Sequence, residues 1–305
     1  IDIPTFLIEE FSMLFKVANK FYKPKLIISD NRIYHNLIFK IWSAICQENK
    51  TSIIISNHGG SITQGSIDYM GFDESISDTF ITWTKPIMKK HFQLPPLKYY
   101  NTKKKQKVNP NKILSIVGVD TERYTYRCQV GPKSGQIWLH HNQIIKFYNA
   151  LGMRYKNITR MRPYPDCGRG LSKIYEKEMG KENVSSKGSF EDFIDKSSLV
   201  ICTYPETTFS DCIARNIPVI LIYPKSLWQI HPQMIEIYEI LFSANLIFHD
   251  PIKLAKYINH IFLDLESWWN SKKVRNAIKN YENQALNISG NYLNDWISFI
   301  RSKSK

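Results

Sequence analysis

Between Ser198 and Ile222 the chain passes from an apolar run through a hydroxyl-rich turn and a helix-like stretch to a second apolar run. Ser198-Leu199-Val200-Ile201-Cys202 has the length and character of a buried strand, as does Ile217 to Ile222. Strand, turn, helix and strand in that order form a βαβ unit, which commits the chain to a parallel sheet covered by helices. The turn, Thr203-Tyr204-Pro205-Glu206-Thr207-Thr208-Phe209-Ser210, opens a helix whose first backbone N–H groups have no partners inside it. Such an end is suited to an anion, a nucleotide phosphate above all, and the hydroxyls of Thr207 and Thr208 add donors. A Thr-capped helix that binds nothing fits the same text.

The alternation extends along the chain. Ile3 to Phe21 has helical spacing, with Pro24 as its stop. Lys25 to Asp30, Thr51 to Ser56 and Ser77 to Trp83 read as strands, and Tyr34 to Gln47 as an amphipathic helix. Pro95-Pro96 and the lysine-rich 101–111 segment read as a linker. Beyond it Ile113 to Val117 and Tyr155 to Met161 are expected strands, and Gln136 to Leu151 and Phe190 to Lys196 expected helices. Four further helices, at 233–242, 251–263, 271–287 and 291–302, close the chain. The expectation is an α/β protein of two doubly wound Rossmann-type halves, residues 1–100 and 112–305. Ligands of such sheets sit beyond the carboxyl ends of the strands.

Composition narrows the function classes. Lys plus Arg number 41 against 27 Asp plus Glu, a net charge of +14 that suits nucleotides or an anionic inner leaflet. The basicity is spread out and no helix-turn-helix or RNA-recognition pattern is visible, so no nucleic-acid partner is expected. The five cysteines are scattered without metal-ligand spacing, which fits a reducing cytoplasm. No run of eighteen apolar residues and no signal peptide is evident. Because the chain opens on Ile1 in helix-like text, a longer polypeptide with a further N-terminal portion is expected.

Four constellations could carry chemistry. In Ser56-Asn57-His58-Gly59-Gly60, His58 leaves a strand end into a turn whose glycines let the backbone approach a ligand. There it could act as a general base or donate to a phosphate, or only hydrogen-bond the turn. Arg160 to Arg169 empties a strand into a loop with three arginines, and Arg162 could grip phosphate or a sugar carboxylate. Asp166 in that loop could serve as acid or base, or orient an arginine. In the 203–210 turn, Glu206 would face ribose or sugar hydroxyls rather than phosphate, where charges repel. Gly131-Pro132-Lys133-Ser134-Gly135 is a weaker anion-loop pattern, equally a plain turn. His140-His141, His231, His249 and His260 lack metal spacing, so solvated or capping roles are expected. No metal–diphosphate DxD pair is evident, so no metal site is expected.

Taken together this text resembles a family of transferases encoded in bacterial surface-carbohydrate (O-antigen and capsule) loci, first catalogued in spirochaetes. The likeness runs nearly end to end through His58-Gly59-Gly60, Ile76-Ser77-Asp78, Thr82-Trp83, Leu94-Pro95-Pro96-Leu97-Lys98, Arg162 to Gly168, Thr203 to Phe209 and Asn216-Ile217-Pro218. Phe248-His249-Asp250-Pro251 and Glu266-Ser267-Trp268-Trp269-Asn270 are particularly specific. The resemblance implies a GT-B-like fold and transfer of a sugar or polyol from a nucleotide-activated donor, by analogy with retaining Kdo transferases and CDP-glycerol glycerophosphotransferases. It places His58 at the catalytic His-Gly position and Thr207 and Thr208 at the donor-phosphate position, and the Gly59-Gly60 turn, read above as approaching a ligand, is counted with them as a donor contact. Glu206 and Arg169 depart from the family's pattern. The expected function is glycosyl transfer from a nucleotide-sugar substrate, with CMP-linked donors among the candidates, to a lipid-linked or glycan acceptor in lipopolysaccharide or capsule synthesis. Location in the cytoplasm, peripheral to the inner membrane, goes with it. The alternatives are a CDP-polyol phosphotransferase, a non-hydrolysing nucleotide-sugar epimerase and, last, a nucleic-acid-binding protein.

Overall fold

A computed structural model describes residues 5–30, 32–59, 71–123, 131–288 and 291–303. The chain divides into two compact units, one of Ile1–His58, Asp68–Leu97 and Ser289–Lys305, the other of Gly59–Ile67 and Lys98–Ile288. Each is built on its own parallel sheet, the architecture that the alternating strands and helices demand.

The first unit carries β1 (Leu26–Ser29), β2 (Ser52–Ser56), β3 (Thr79–Thr82) and β4 (His91–Gln93), neighbours in that order. Successive side chains alternate between faces, so Ile54 and Ile81 pack with Leu94, Trp296 and Phe299, while Ile53, Ile55 and Phe80 pack with Ile33. Both faces are covered, as parallel sheets require. Trp296 and Phe299 belong to the Tyr292–Lys303 helix. The expected division gave all of 112–305 to the second half, but this last helix completes the first unit's core. Its apolar face is an ordinary i, i+3, i+4 pattern that names no partner.

The second unit carries β5 (Leu114–Val117), β6 (Thr159–Arg162), β7 (Leu199–Cys202), β8 (Val219–Ile222) and β9 (Ile247–Phe248). Their spatial order is β6-β5-β7-β8-β9, all parallel, and a single bridge from Met161 to Val184 continues the sheet beyond β6. The strand order reverses at β5: the chain crosses one way to β6 and then returns to the other side as β7. That reversal is a topological switch point. Leu114, Ile116, Leu199, Ile201, Ile220 and Ile222 form one core face with side chains of the Gln136–Ala150 and Pro251–Ile261 helices.

Two local expectations change. Tyr155 to Met161 is not one strand, since Met153–Ile158 is helical and the strand begins at Thr159. Tyr155 and Lys156 return their N–H groups to Gly152 O, closing a helical turn. The 101–111 segment lies bound along the second unit: Lys105 N–H donates to Arg215 O and Val108 N–H to Glu266 Oε2.

Candidate functional site

Val117 and Cys202 are paired at the carboxyl ends of β5 and β7, and just past them Thr203 Oγ1 donates to Val117 O at 2.8 Å. This bond closes the floor of the switch point. Tyr204 is buried, Glu206 is extended at the N-cap position, and the Thr207–Ala214 helix follows at once. Phe209, Cys212 and Ile213 give that helix its buried face. It ends at Asn216, whose φ of 56° is left-handed: Asn216 N–H returns to Ile213 O and Ile217 N–H to Cys212 O. This is a Schellman ending with proline next in line, which accounts for Asn216-Ile217-Pro218. Thr207 is half-buried, while Thr208 is turned inward, its Oγ1 3.0 Å from the Tyr204 hydroxyl. What Thr208 can offer a ligand is therefore its backbone N–H; Thr207 is the more accessible hydroxyl. Glu206 lies near Tyr164, whose phenol is pushed up by burial and by surrounding negative groups that include Glu206. The turn and the loop after β6 thus share one surface.

Beside it, the loop after β5 is locked by a buried ion pair that the sequence did not disclose. Asp120 Oδ1 lies 3.0 Å from Arg169 Nη1, and both side chains are almost wholly inaccessible. Asp120 also accepts from the N–H groups of Thr121 and Cys167, and Arg169 donates to the carbonyls of Thr121 and Glu122. Burial raises the Asp120 pKa, with the N–H groups and Arg169 opposing. The only signal was a carboxylate just past a strand and an arginine 49 residues on.

The other two arginines of that stretch are likewise turned to protein oxygens. Arg162 donates to the carbonyls of Lys187 and Gly188 at 3.1 and 2.9 Å and lies over the Phe193 ring. Arg160 donates to Asn157 O, Thr159 O and Asn183 Oδ1. Asp166 Oδ1 accepts from the N–H groups of Gly168, Arg169 and Gly170, at the start of the Leu171–Met179 helix. These bonds, Gly170's foremost, hold its carboxyl below the usual range. A carboxylate so held is a weak base and a loop organiser.

In the first unit, His58 stands just past β2 and Asp30 just past β1, with Nδ1 3.1 Å from Oδ2. Their side chains are 59% and 51% exposed, so the pair faces solvent. The carboxylate favours the proton on Nδ1 and leaves Nε2 as an outward acceptor. Gly59 follows with φ 145°, a conformation that favours glycine. Gly60 lies outside the described residues. Asp30 is a second member of this site that no sequence pattern linked to position 58.

The paired histidines of the Gln136–Ala150 helix are not solvated as expected. Both are about 1% exposed. His141 Nδ1 meets the Tyr175 hydroxyl; both nitrogens of His140, His141 Nε2 and the Trp228 indole nitrogen have no partner among the described residues. Desolvation lowers the pKa values to about 3 for His140 and about 4 for His141. His231, by contrast, caps the Pro232–Met234 turn by accepting from Gln233 N–H, as expected. Among the described residues no helix is long and apolar enough to cross a membrane.

The fold recurs in solved structures. One from Listeria monocytogenes, assigned as a UDP-N-acetylglucosamine 2-epimerase, aligns with 99% of this chain and 82% of its own at 12% identity and TM-score 0.58. S. aureus MnaA in complex with UDP aligns with 98% and 82% at 9% identity and TM-score 0.53. TarM aligns with 93% of this chain and 57% of its own at 12% identity and TM-score 0.50. At such identities the likeness is one of fold, the GT-B-like pairing of Rossmann-type halves. No curated protein matches the sequence. A family model does match, across residues 1–300, and the chain belongs to the LIC12162 family of transferases.

Proposed function

We propose that this transferase moves a glycosyl group from a nucleotide-activated donor onto a growing bacterial surface glycan. The observation that carries the reading is the start of the Thr207–Ala214 helix at the switch point between β5 and β7. Donor phosphate bonds there to first-turn N–H groups and the Thr207 hydroxyl, which stabilise the departing nucleotide. Glu206, at the rim, accepts from sugar or ribose hydroxyls. His58, its tautomer fixed by Asp30, takes the acceptor's proton on Nε2. Arg162 and Asp166 shape the loops around the donor rather than react. A CMP-linked donor and a lipid-linked acceptor at the cytoplasmic face of the inner membrane belong to this reading.

Epimerase-like folds among the structural relatives favour one rival, interconversion of a free nucleotide sugar. Ligand-observed NMR with CMP, CDP, UDP, GDP and ADP, on wild type and Thr207→Val, tests the donor site. One nucleotide is expected to bind, about tenfold more weakly in the variant, as for a lost hydrogen bond to a charged group. No binding by any nucleotide removes the donor reading. Conversion of the matching nucleotide sugar without acceptor replaces transfer by epimerisation, while transfer of a polyol phosphate identifies a phosphotransferase.

A further inference from the structure

Beyond the ends of β8 and β9 lies a cavity of about 830 Å³, bounded by the 225–232 loop and the Ile235–Ser243 helix. Its size falls within the range of small-molecule sites. The walls are aromatic: Tyr223, Trp228, Tyr238 and Phe242 line it. Trp228, Tyr223 and Tyr238 are buried, whereas Phe242 stands 53% exposed and stacks on His249 with ring centroids 5.7 Å apart. Among these rings are polar groups of both senses. His249 Nδ1 lies 3.0 Å from Tyr223 O, so this nitrogen carries the proton and Nε2 is the ring's acceptor. Glu239 adds a carboxylate and Lys225 an ammonium. The buried indole N–H of Trp228 has no acceptor among the described residues.

We propose that this cavity is a carbohydrate-binding subsite that holds a neutral pyranose of the glycan on the exposed Phe242 ring, with the buried rings of Trp228, Tyr223 and Tyr238 behind it. A sugar ring offers apolar C–H faces to aromatic rings and, at its edge, hydroxyls that both donate and accept. That edge matches the Lys225 ammonium as donor and Glu239 and His249 Nε2 as acceptors. An acyl chain would leave these polar groups unsatisfied. A phosphorylated ligand would meet the Glu239 carboxylate as well as the Lys225 ammonium, whereas a neutral sugar bonds to both. The cavity also shares a wall with the phosphate turn, since Trp228 packs on Tyr204, whose hydroxyl bonds Thr208. The proposal rests on the glycosyl-transfer reading only in taking the sugar to be part of the acceptor.

Saturation-transfer NMR on the whole chain tests it, with methyl glycosides of glucose, galactose, rhamnose and N-acetylglucosamine as probes and CMP and UDP as separate competitors. At least one glycoside is expected to receive saturation in the presence of either nucleotide. Phe242→Ala, an exposed and structurally mild change, is expected to weaken it roughly fivefold, and Glu239→Ala, which removes an exposed acceptor, to weaken it as well. Thr207→Val is expected to leave it unchanged. No glycoside signal overturns the proposal, whatever the nucleotides do. A signal displaced by nucleotide, or lost in Thr207→Val, assigns the sugar to the donor site and also overturns it. Loss of nucleotide binding with the glycoside signal intact would instead remove the donor reading.

Discussion

His58 and Asp30 come together because β1 and β2 are parallel neighbours in register, Ser29 opposite Ile55, so the residues just past each strand emerge side by side. A hydrogen bond this exposed adds little to stability, and its effect is orientational. Holding the proton on Nδ1 keeps Nε2 available as a base, an arrangement that depends on the carboxylate as well as the imidazole. His58→Gln is therefore expected to lower turnover by roughly 10²–10⁴-fold with nucleotide affinity unchanged. Asp30→Asn is expected to fall between the variant and wild type. Steady-state transfer assays alongside nucleotide titrations check both; an equal loss of nucleotide affinity would place His58 on the donor instead. The histidine was visible in the sequence as a strand-end residue before glycine. Its carboxylate was not, because positions 30 and 58 become neighbours only when the strands pair.

The Gln136–Ala150 helix carries a different consequence of burial. His140 and His141 are neutral in the folded protein, with pKa values lowered by desolvation to about 3 and about 4. The unfolded chain, with histidines near pH 6.5, binds protons first as pH falls. Their stabilising contribution is thus fully present above pH 6.5 and is lost as pH drops toward the folded values, by up to about 1.4 kcal/mol per pH unit for each histidine. Urea unfolding at pH 7, 6, 5 and 4 is expected to show a shallower decline in His140→Leu than in wild type. Parallel curves would mean that His140 takes no part in the acid sensitivity. Elements of this length were legible from periodicity, as were β5, β7, β8 and the helix at 207, because apolar spacing specifies them before any tertiary contact. The three-residue β4 and two-residue β9 were not, being too short to show a period. Arg160, Arg162 and Arg169 had roles that the sequence left open for a chemical reason: a guanidinium's donors suit protein carbonyls and carboxylates as well as phosphate.

Across the whole molecule, much of the text that carries the family likeness is architectural. Asn216 Oδ1 accepts from Trp269 Nε1 and Arg275 Nη1 while its Nδ2 donates to Lys105 O, and Glu266 accepts from Val108 N–H. Asp250 caps the Pro251–Ile261 helix through the N–H groups of Ile252 and Lys253. These contacts fasten the 101–111 segment and the helices between Leu265 and Tyr281 onto the second unit. The first unit has its own late fastening, since its core includes residues more than 200 positions from its strands: Trp296 Nε1 donates to Pro95 O at 2.9 Å, and the Phe299 ring lies 4.6 Å from that of Phe92. Folding of that unit cannot finish until the last helix is available. Trp296→Ala, which removes a buried ring and leaves a cavity beside Ile54 and Ile81, is expected to cost the first unit about 3–5 kcal/mol. Hydrogen exchange should then show the amides of β1 to β4 losing protection while those of β5 to β9 keep theirs, because cooperative units open separately when their cores are separate. Equal loss in both sheets would mean that the two units unfold as one, and the helix would then stabilise the whole chain rather than the sheet it covers.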